Sequence, residues 1–409
     1  MEGRRAEANE VVNEQCSSSG YQASRLSVRG FRRRAKTGGE TTMPVISNAL
    51  DLIFQNLFFE VGDMIPAGRL FVKLEGYNVT GSIKVKPAMF MIDDLERRGL
   101  IAPHRSTIVE SSSGNLGIAL ALICRLRGYG FVCVTDPNIS STNRRGIEAY
   151  GGEVHIIDRR DPQGGYLESR LAYIRSLLSA NPDFIWLNQY ANPANIRAHA
   201  QWTATEILSE FPNLTHLYVG TGTTGTIMGL AEVFAVRSSR TQIIGVEPEG
   251  SVTFDQRQTG RRLIPGIGTS RRPEIADAEY LDRIVYVSEV DAVRMCHRLA
   301  KRNGLLLGGS SGSVMAAVAA DSRQFDADSM ILAISPDLGD KYLDTIYSPE
   351  WVNATYGDIL PSDNGTLIAP CEPLSTVIAR NAPRPPSQER RRNRMVADRV
   401  REIERSSLL

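Results

Sequence analysis

Four short stretches of this 409-residue chain hold residue types at spacings that can do chemistry. In the first, Thr80-Gly-Ser-Ile-Lys84, a lysine follows a small Gly-Ser bend at the expected first turn of a helix. Burial disfavours the charged amine, so a desolvated lysine becomes a nucleophile or Schiff-base former. The second, Glu110-Ser-Ser-Ser113-Gly-Asn115-Leu-Gly117, precedes an apolar helical run. Its hydroxyls and backbone N–H groups face a helix N-terminus, which suits a carboxylate. The third, Gly220-Thr-Gly222-Thr-Thr-Gly225-Thr226, combines glycines that permit close backbone approach with hydroxyl donors, the make-up of a phosphate cradle. It lacks G-K-[ST] and G-x-G-x-x-G, which argues against a nucleotide P-loop and a dinucleotide fingerprint. The fourth, Leu307-Gly-Gly309-Ser310-Ser-Gly312-Ser313, is by itself only a turn. Alone, each has an ordinary explanation: a surface lysine, a capped helix, tight turns.

The elements that must position these loops alternate. Strands are expected at 69–76, 106–111, 130–136, 154–158, 216–220, 242–248 and 330–336. Helices are expected at 84–98, 116–127, 141–150, 166–180, 195–209, 226–236, 290–302 and 312–321. Short β-rich runs joined by helical crossovers imply an α/β fold of parallel sheets covered on both faces. Function is then expected in the loops beyond the strands' C-terminal ends. No internal repeat is visible.

The formal net charge of +1 hides an asymmetry. Residues 1–43 carry +3 and residues 370–409 carry +4, so residues 44–369 carry −6. An acidic body excludes a general polyanion binder and confines any nucleic-acid role to the ends. Residues 1–43 read as a disordered basic extension, and the tail from 351 to 409 reads as largely disordered and basic. Arg25–Lys36 has the look of a mitochondrial presequence, but the five glutamates among residues 1–43 argue against it. Met43 offers an alternative start. Five scattered cysteines without C-x-x-C imply a reducing, cytoplasmic setting. The absence of an 18-residue apolar run implies no membrane span, and the histidine spacing implies no metal.

Taken together and in this order, the four loops resemble the fold-type II pyridoxal-phosphate enzymes of the cysteine synthase and cystathionine β-synthase group, whose fold is tryptophan synthase β-like. The resemblance spans about residues 45–350. It implies two parallel-sheet α/β domains with pyridoxal 5′-phosphate in the cleft between them. The smaller would cover about 78–192, the larger about 44–77 plus 193–350. A homodimer is the expected assembly.

Residue by residue, the resemblance makes Lys84 the Schiff-base lysine that also shuttles the Cα proton. Asn115 would bond the cofactor's phenolic oxygen, and Gly222, Thr223, Thr224, Gly225 and Thr226 its phosphate. Ser310 would face the pyridine nitrogen, where a hydroxyl stabilises a pyridinium less than a carboxylate does and so favours β-elimination over transamination. Ser112, Ser113 and Gly114 would hold the substrate carboxylate, with Gln189 beside them. The implied reaction is β-replacement on an O-activated serine through α-aminoacrylate.

Within the group, GGYLESR (164–170), WLNQYANPAN (186–195), EGSVTFD (249–255), IPGIGTSRRPEI (264–275) and SPDLGDKYLDTIYSPEW (335–351) resemble the N-(2-amino-2-carboxyethyl)-L-glutamate synthase sub-family. That sub-family joins O-phospho-L-serine to L-glutamate, toward 2,3-diaminopropionate for siderophores. Arg170 and Tyr190 match it and are candidates for the donor phosphate, with Arg144 and Arg145 as rivals. One position departs from the group: K-D-R is usual where this chain has Lys84-Val85-Lys86, and loss of the acid–base pair is expected to alter local packing or loop closure. Two alternatives compete with this reading: a cysteine synthase using sulfide, and a catalytically silent binding or regulatory subunit.

Overall fold

In the computed structural model the described residues are 46–360, apart from 54–55, 163 and 239, together with 378–379. The N-terminal extension with its presequence-like run, the Met43 start, and the tail beyond 360 except 378–379 lie outside them.

In chain order the strands are β1 (Phe58–Glu60), β2 (Arg69–Leu74), β3 (Thr107–Ser111), β4 (Gly130–Thr135), β5 (Glu153–Ile156), β6 (Phe184–Trp186), β7 (His216–Gly220), β8 (Gln242–Pro248), β9 (Arg283–Val287), β10 (Met330–Ser335) and β11 (Ile378–Ala379). The helices are α1 (Val85–Arg97), α2 (Asn115–Arg127), α3 (Ser141–Ala149), α4 (Leu167–Ala180), α5 (Pro193–Ala198), α6 (Ala204–Glu210), α7 (Gly225–Arg237), α8 (Glu289–Asn303), α9 (Gly309–Asp321) and α10 (Pro349–Tyr356). Every expected strand and helix is present. The expected helix at 195–209 is split into α5 and α6 by a π turn at His199–Thr203. The sequence reading missed β1, β6, β9, β11 and α10, of which β1, β6 and β11 are only two or three residues long.

Two sheets result. The smaller has the order β5-β4-β3-β6 and is parallel throughout. The larger runs β1-β2-β10-β7-β8-β9-β11, parallel inside with an antiparallel strand at each edge. Helices bury both faces of the larger sheet. Leu70, Val72, Tyr218, Ile244, Val246, Ile331 and Ala333 enter one core, and Phe71, Leu217, Val219, Ile243, Leu332 and Ile334 enter the other. That division follows the two-residue side-chain period of a strand and explains the nearly unbroken apolar runs. The four chemical loops all follow C-terminal strand ends or open helices beside them: after β2, after β3, after β7, and before α9.

One charged group sits inside this core. Lys73 on β2 and Lys86 on α1 are fully buried and share two carboxylates. Lys86 Nζ lies 2.8 Å from Glu75 Oε1 and 2.7 Å from Glu206 Oε2; Lys73 Nζ lies 3.4 and 2.9 Å from the same atoms. Asn78 Nδ2 donates to Glu75 Oε2 at 2.9 Å. Burial alone would raise the Glu75 carboxyl, but Lys86 and Lys73 pull it below the usual carboxylate range. Burial would likewise lower the Lys86 amine, but Glu75 and Glu206 raise it. At Lys84-Val85-Lys86, where the sequence departs from the group it resembles, the structure shows how the lysine is accommodated. The cation at 86 is fully paired, and Val85 is an apolar core residue where an acid is usual.

Removing one member of such a buried cluster strands the others. Lys86→Met is expected to destabilise the protein by about 3–5 kcal/mol. Lys86→Arg, which keeps the charge, is expected to lose clearly less. Urea unfolding of the three proteins side by side checks both.

Candidate active site

Lys84 is the N-cap residue of α1 and is partly buried. Burial lowers its amine pKa, and Asp337 partly opposes the shift. A lowered lysine pKa enlarges the neutral, nucleophilic fraction at working pH. One cavity is lined by Lys84, Gly222, Thr223, Thr224, Thr226 and Ser310, with Ile83, Gly266 and Pro336 among the other walls. Residues from three separate loops are thus brought together around one amine.

The Gly/Thr loop is a cradle at the N-terminus of the thirteen-residue helix α7. Its cap residue, Thr224, is in the left-handed region at φ 66°, an unfavourable place for a β-branched residue. The Thr224 hydroxyl is buried without a partner. Gly225 permits close approach: a Cβ there would come within 2.1 Å of Asn195 Oδ1. Asn195 in turn donates to Gln189 O at 2.9 Å and to Thr223 Oγ1 at 3.2 Å, tying the Gln189 loop to the cradle. Strain, an orphaned donor and a helix dipole together make an anion site.

The serine loop divides its labour. Ser112 Oγ accepts from the N–H of Gly114 and of Gly117, both at 3.2 Å, so its side chain shapes the turn. Ser113 Oγ accepts from Thr135 at 2.9 Å and from Arg170 at 3.2 Å. Arg170 also lies 3.3 Å from Asp136, and its Nε is buried without a partner. Tyr190 stands in the field of Arg170 as well. Gln189 is buried, with Nε2 donating to Ser111 O at 3.4 Å. The rival arginines are elsewhere: Arg144 and Arg145 are exposed on α3, and Arg144 pairs with Glu148.

Asn115, the first residue of α2, is not among the residues lining the cavity. Its Nδ2 donates to Asp337 Oδ2 at 2.7 Å, and its Oδ1 accepts from Lys341 at 2.7 Å. Lys341 also donates to the carbonyls of Thr80 and Gly81, clamping the bend before Lys84. Sequence reasoning missed Asp337 and Lys341, although both lie in a stretch it had singled out, SPDLGDKYLDTIYSPEW. It also missed His199, whose Nε2 bonds Thr226 at 3.2 Å and whose Nδ1 bonds Thr203 at 3.0 Å. Burial, with Lys84 and Lys86 nearby, holds His199 well below its usual pKa and therefore neutral. No sequence motif announced it.

The pyridoxal-phosphate dependent enzyme family matches residues 62–337. The N-(2-amino-2-carboxyethyl)-L-glutamate synthase of Cupriavidus metallidurans is 40% identical over 287 residues, covering 69% of this chain and 84% of that protein. Among solved structures, an O-ureido-L-serine synthase superposes with a TM-score of 0.69 at 31% identity, over 78% of this chain and 98% of that one. A hydrogen sulfide-producing enzyme from Fusobacterium nucleatum superposes at 0.68 and 30% identity, over 73% and 100%. The residues present fit pyridoxal phosphate: a desolvated lysine, a helix N-terminus carrying the unpartnered Thr224 hydroxyl, and the Ser310 hydroxyl share one cavity.

Two expected outcomes follow from this geometry. Thr224→Gly relieves the left-handed strain and is expected to stabilise the cofactor-free protein by about 1 kcal/mol while weakening its hold on pyridoxal phosphate. Urea unfolding and a cofactor fluorescence titration read the two opposite effects. The Glu110 carboxyl, at the end of β3, is buried and pushed up to about 7, with bonds from Ser111 N, Gln189 N and Trp186 Nε1 opposing the shift. A folded-state acid raised above its unfolded value favours folding below that value, and the gain is lost as pH rises through the folded pKa. Between pH 6 and 8 the protein is expected to lose about 1 kcal/mol of stability from this group. The loss should be absent in Glu110→Gln when unfolding midpoints are compared across that range.

Proposed function

The chain belongs to the pyridoxal-phosphate dependent enzyme family, and from that premise we propose that it joins O-phospho-L-serine to L-glutamate. The products would be N-(2-amino-2-carboxyethyl)-L-glutamate and phosphate. The observation that carries the reading is Arg170. Its guanidinium reaches Ser113 of the carboxylate-suited loop while its Nε stays buried and unpartnered. A guanidinium fork in that place suits a phosphate on the serine side chain. The 40% identical relative is named for the same product, which supports glutamate as the acceptor.

In this reading Lys84 holds the cofactor through its side-chain nitrogen, and Gly222 to Thr226 bind the phosphate at the N-terminus of α7. When bound, pyridoxal phosphate supplies an electron sink for the bonds at the substrate Cα. The Ser113–Gly114 loop and Gln189 orient the substrate carboxylate, while the bonds made by Ser112 Oγ hold that loop in shape. Once the substrate amine has displaced it from the cofactor, Lys84 Nζ would be free to take the Cα proton. The Cβ–O bond breaks with its electron pair leaving on phosphate, next to Arg170 and Tyr190. A bond then forms between the glutamate nitrogen and Cβ, the nitrogen gives up a proton to solvent, and Lys84 returns its proton to Cα. Two separate half-reactions predict ping-pong kinetics. Asn115, held by Asp337 and Lys341, keeps one amide N–H for the cofactor's phenolic oxygen. Ser310, which lines the cavity, would offer the pyridine nitrogen a neutral partner. The cleft would lie between a smaller unit of about 78–192 and the rest of the body, in a cytoplasmic homodimer.

Mass analysis of products from O-phospho-L-serine plus L-glutamate tests the reading directly. The expected adduct appears with the wild-type holoenzyme and falls at least about a thousandfold in Lys84→Ala, the scale of a lost general base. Product from sulfide alone would make the chain a cysteine synthase instead. No turnover together with no visible-edge absorbance on adding pyridoxal phosphate would make it a silent binding subunit.

A further inference from the structure

Arg170 is not the only guanidinium near Tyr190. Arg271 stands over the Tyr190 ring, 5.0 Å from its centroid, and Arg262, whose guanidinium bonds Ser270 next to Arg271, adds a third positive charge to the field at the same hydroxyl. Like charges gathered in a partly desolvated place repel one another, and such gatherings persist where an anion is to be received.

The two further arginines differ from Arg170 in their backbone. Arg170 projects from α4 and touches the serine loop. Arg262 and Arg271 belong to the segment between β8 and β9, whose Gly266 lines the cavity beside Lys84. That segment is fastened to the cofactor side of the site. Gly268 N donates to Thr221 O at 2.6 Å, and Ile275 N donates to Tyr190 O at 3.3 Å. Space for Arg262 is made by Gly268, at φ 71°, because a Cβ there would stand 2.6 Å from the guanidinium. Arg262 also donates to Ser270 Oγ at 2.8 Å. Arg271 pairs through one terminal nitrogen with the half-exposed Glu274 at 2.9 Å, and its Nε is buried without a partner. Burial lowers the Arg262 pKa against the fields of Glu247, Tyr190 and Glu289, as expected for a cation drawn out of water without a close carboxylate.

We propose that Arg262 and Arg271 form a second anion subsite, distinct from the donor position at Arg170 and Ser113, which takes the side-chain carboxylate of an acidic amino-acid acceptor. The subsite rests on the reading of an amino-acid acceptor given above, and it deepens that reading by naming what selects glutamate. A carboxylate has two oxygens to receive two guanidinium forks, whereas glutamine offers no charge and sulfide offers no second anchor. The subsite also solves a problem of sign, since the acidic body would otherwise repel a dicarboxylate.

The holoenzyme tests this through a split between its two half-reactions. In Arg271→Met and Arg262→Met, the KM for glutamate is expected to rise about 10- to 100-fold, the scale of a lost hydrogen bond to a charged group. That rise should be at least tenfold larger than any change in the single equivalent of phosphate released from O-phospho-L-serine before acceptor is added. Arg271→Lys should recover part of the loss. A second measurement needs no variant. Glutarate, a dicarboxylate without the amine, should inhibit the wild-type holoenzyme competitively with glutamate and uncompetitively with O-phospho-L-serine. An unchanged glutamate KM in both methionine variants, an equal loss of phosphate release, or glutarate competing with the donor overturns the subsite while leaving the glutamate reaction standing. A wild-type enzyme that accepts only sulfide overturns the reaction itself, and the subsite with it.

Discussion

The start of helix α1 must be held still inside the protein, and the rest of the site depends on it. Lys84 sits at that start, and an amine free to swing into water would regain its ordinary pKa. Two devices prevent this. Two residues further on, Lys86 is locked by Glu75 and Glu206, the latter 120 residues away in sequence. Just before it, Lys341 ties down the carbonyls of Thr80 and Gly81 and reaches Asn115 at the start of α2. A buried ion cluster of this kind is a weak source of net stability, because desolvation offsets much of its attraction. Its value here is geometric: both ends of the bend that presents Lys84 are fixed.

The site has a division of charge that follows from the same economy of burial. The cavity around Lys84 is lined by neutral donors, namely a helix N-terminus, threonine hydroxyls and the Ser310 hydroxyl, and behind Thr226 stands a His199 kept uncharged by burial and by its lysine neighbours. The far side, around Tyr190, uses full positive charges from three arginines. Backbone dipoles stabilise a fixed anion without exposing a counter-charge to solvent. Guanidinium forks suit ligands that enter and leave with their own formal charge.

Much of this was legible in the sequence, and what was missed was either too short to carry a pattern or set by partners distant along the chain. Apolar periodicity and loop composition located the main strands and helices, because both patterns are local. The Lys84, Gly/Thr and Ser310 loops were singled out by their own residues, and they do share a cavity. Short edge strands such as β1 and β6 were not legible, since three residues carry too little pattern. Lys86 was read as a loss of pairing, because its partners lie on other elements. Asp337 and Lys341 passed unnoticed as site residues because they reach Asn115 from 222 and 226 residues away. Arg271 lay unassigned within IPGIGTSRRPEI and Arg262 was not singled out, because only the fold places Gly268 and Tyr190 beside them.

By itself, then, the sequence determined the α/β class, the order of its elements, and the chemical kind of each loop. Those properties are encoded within a dozen or so neighbouring residues. Only the tertiary structure decided which charge meets which: that Lys86 is neutralised, that Asn115 is held between a carboxylate and an ammonium, and that Arg271 stands over Tyr190 in a field to which Arg170 and Arg262 also contribute. Coulombic and hydrogen-bonding energies depend on distance in space and on the local loss of water, and neither quantity is written in the spacing of residues along a chain.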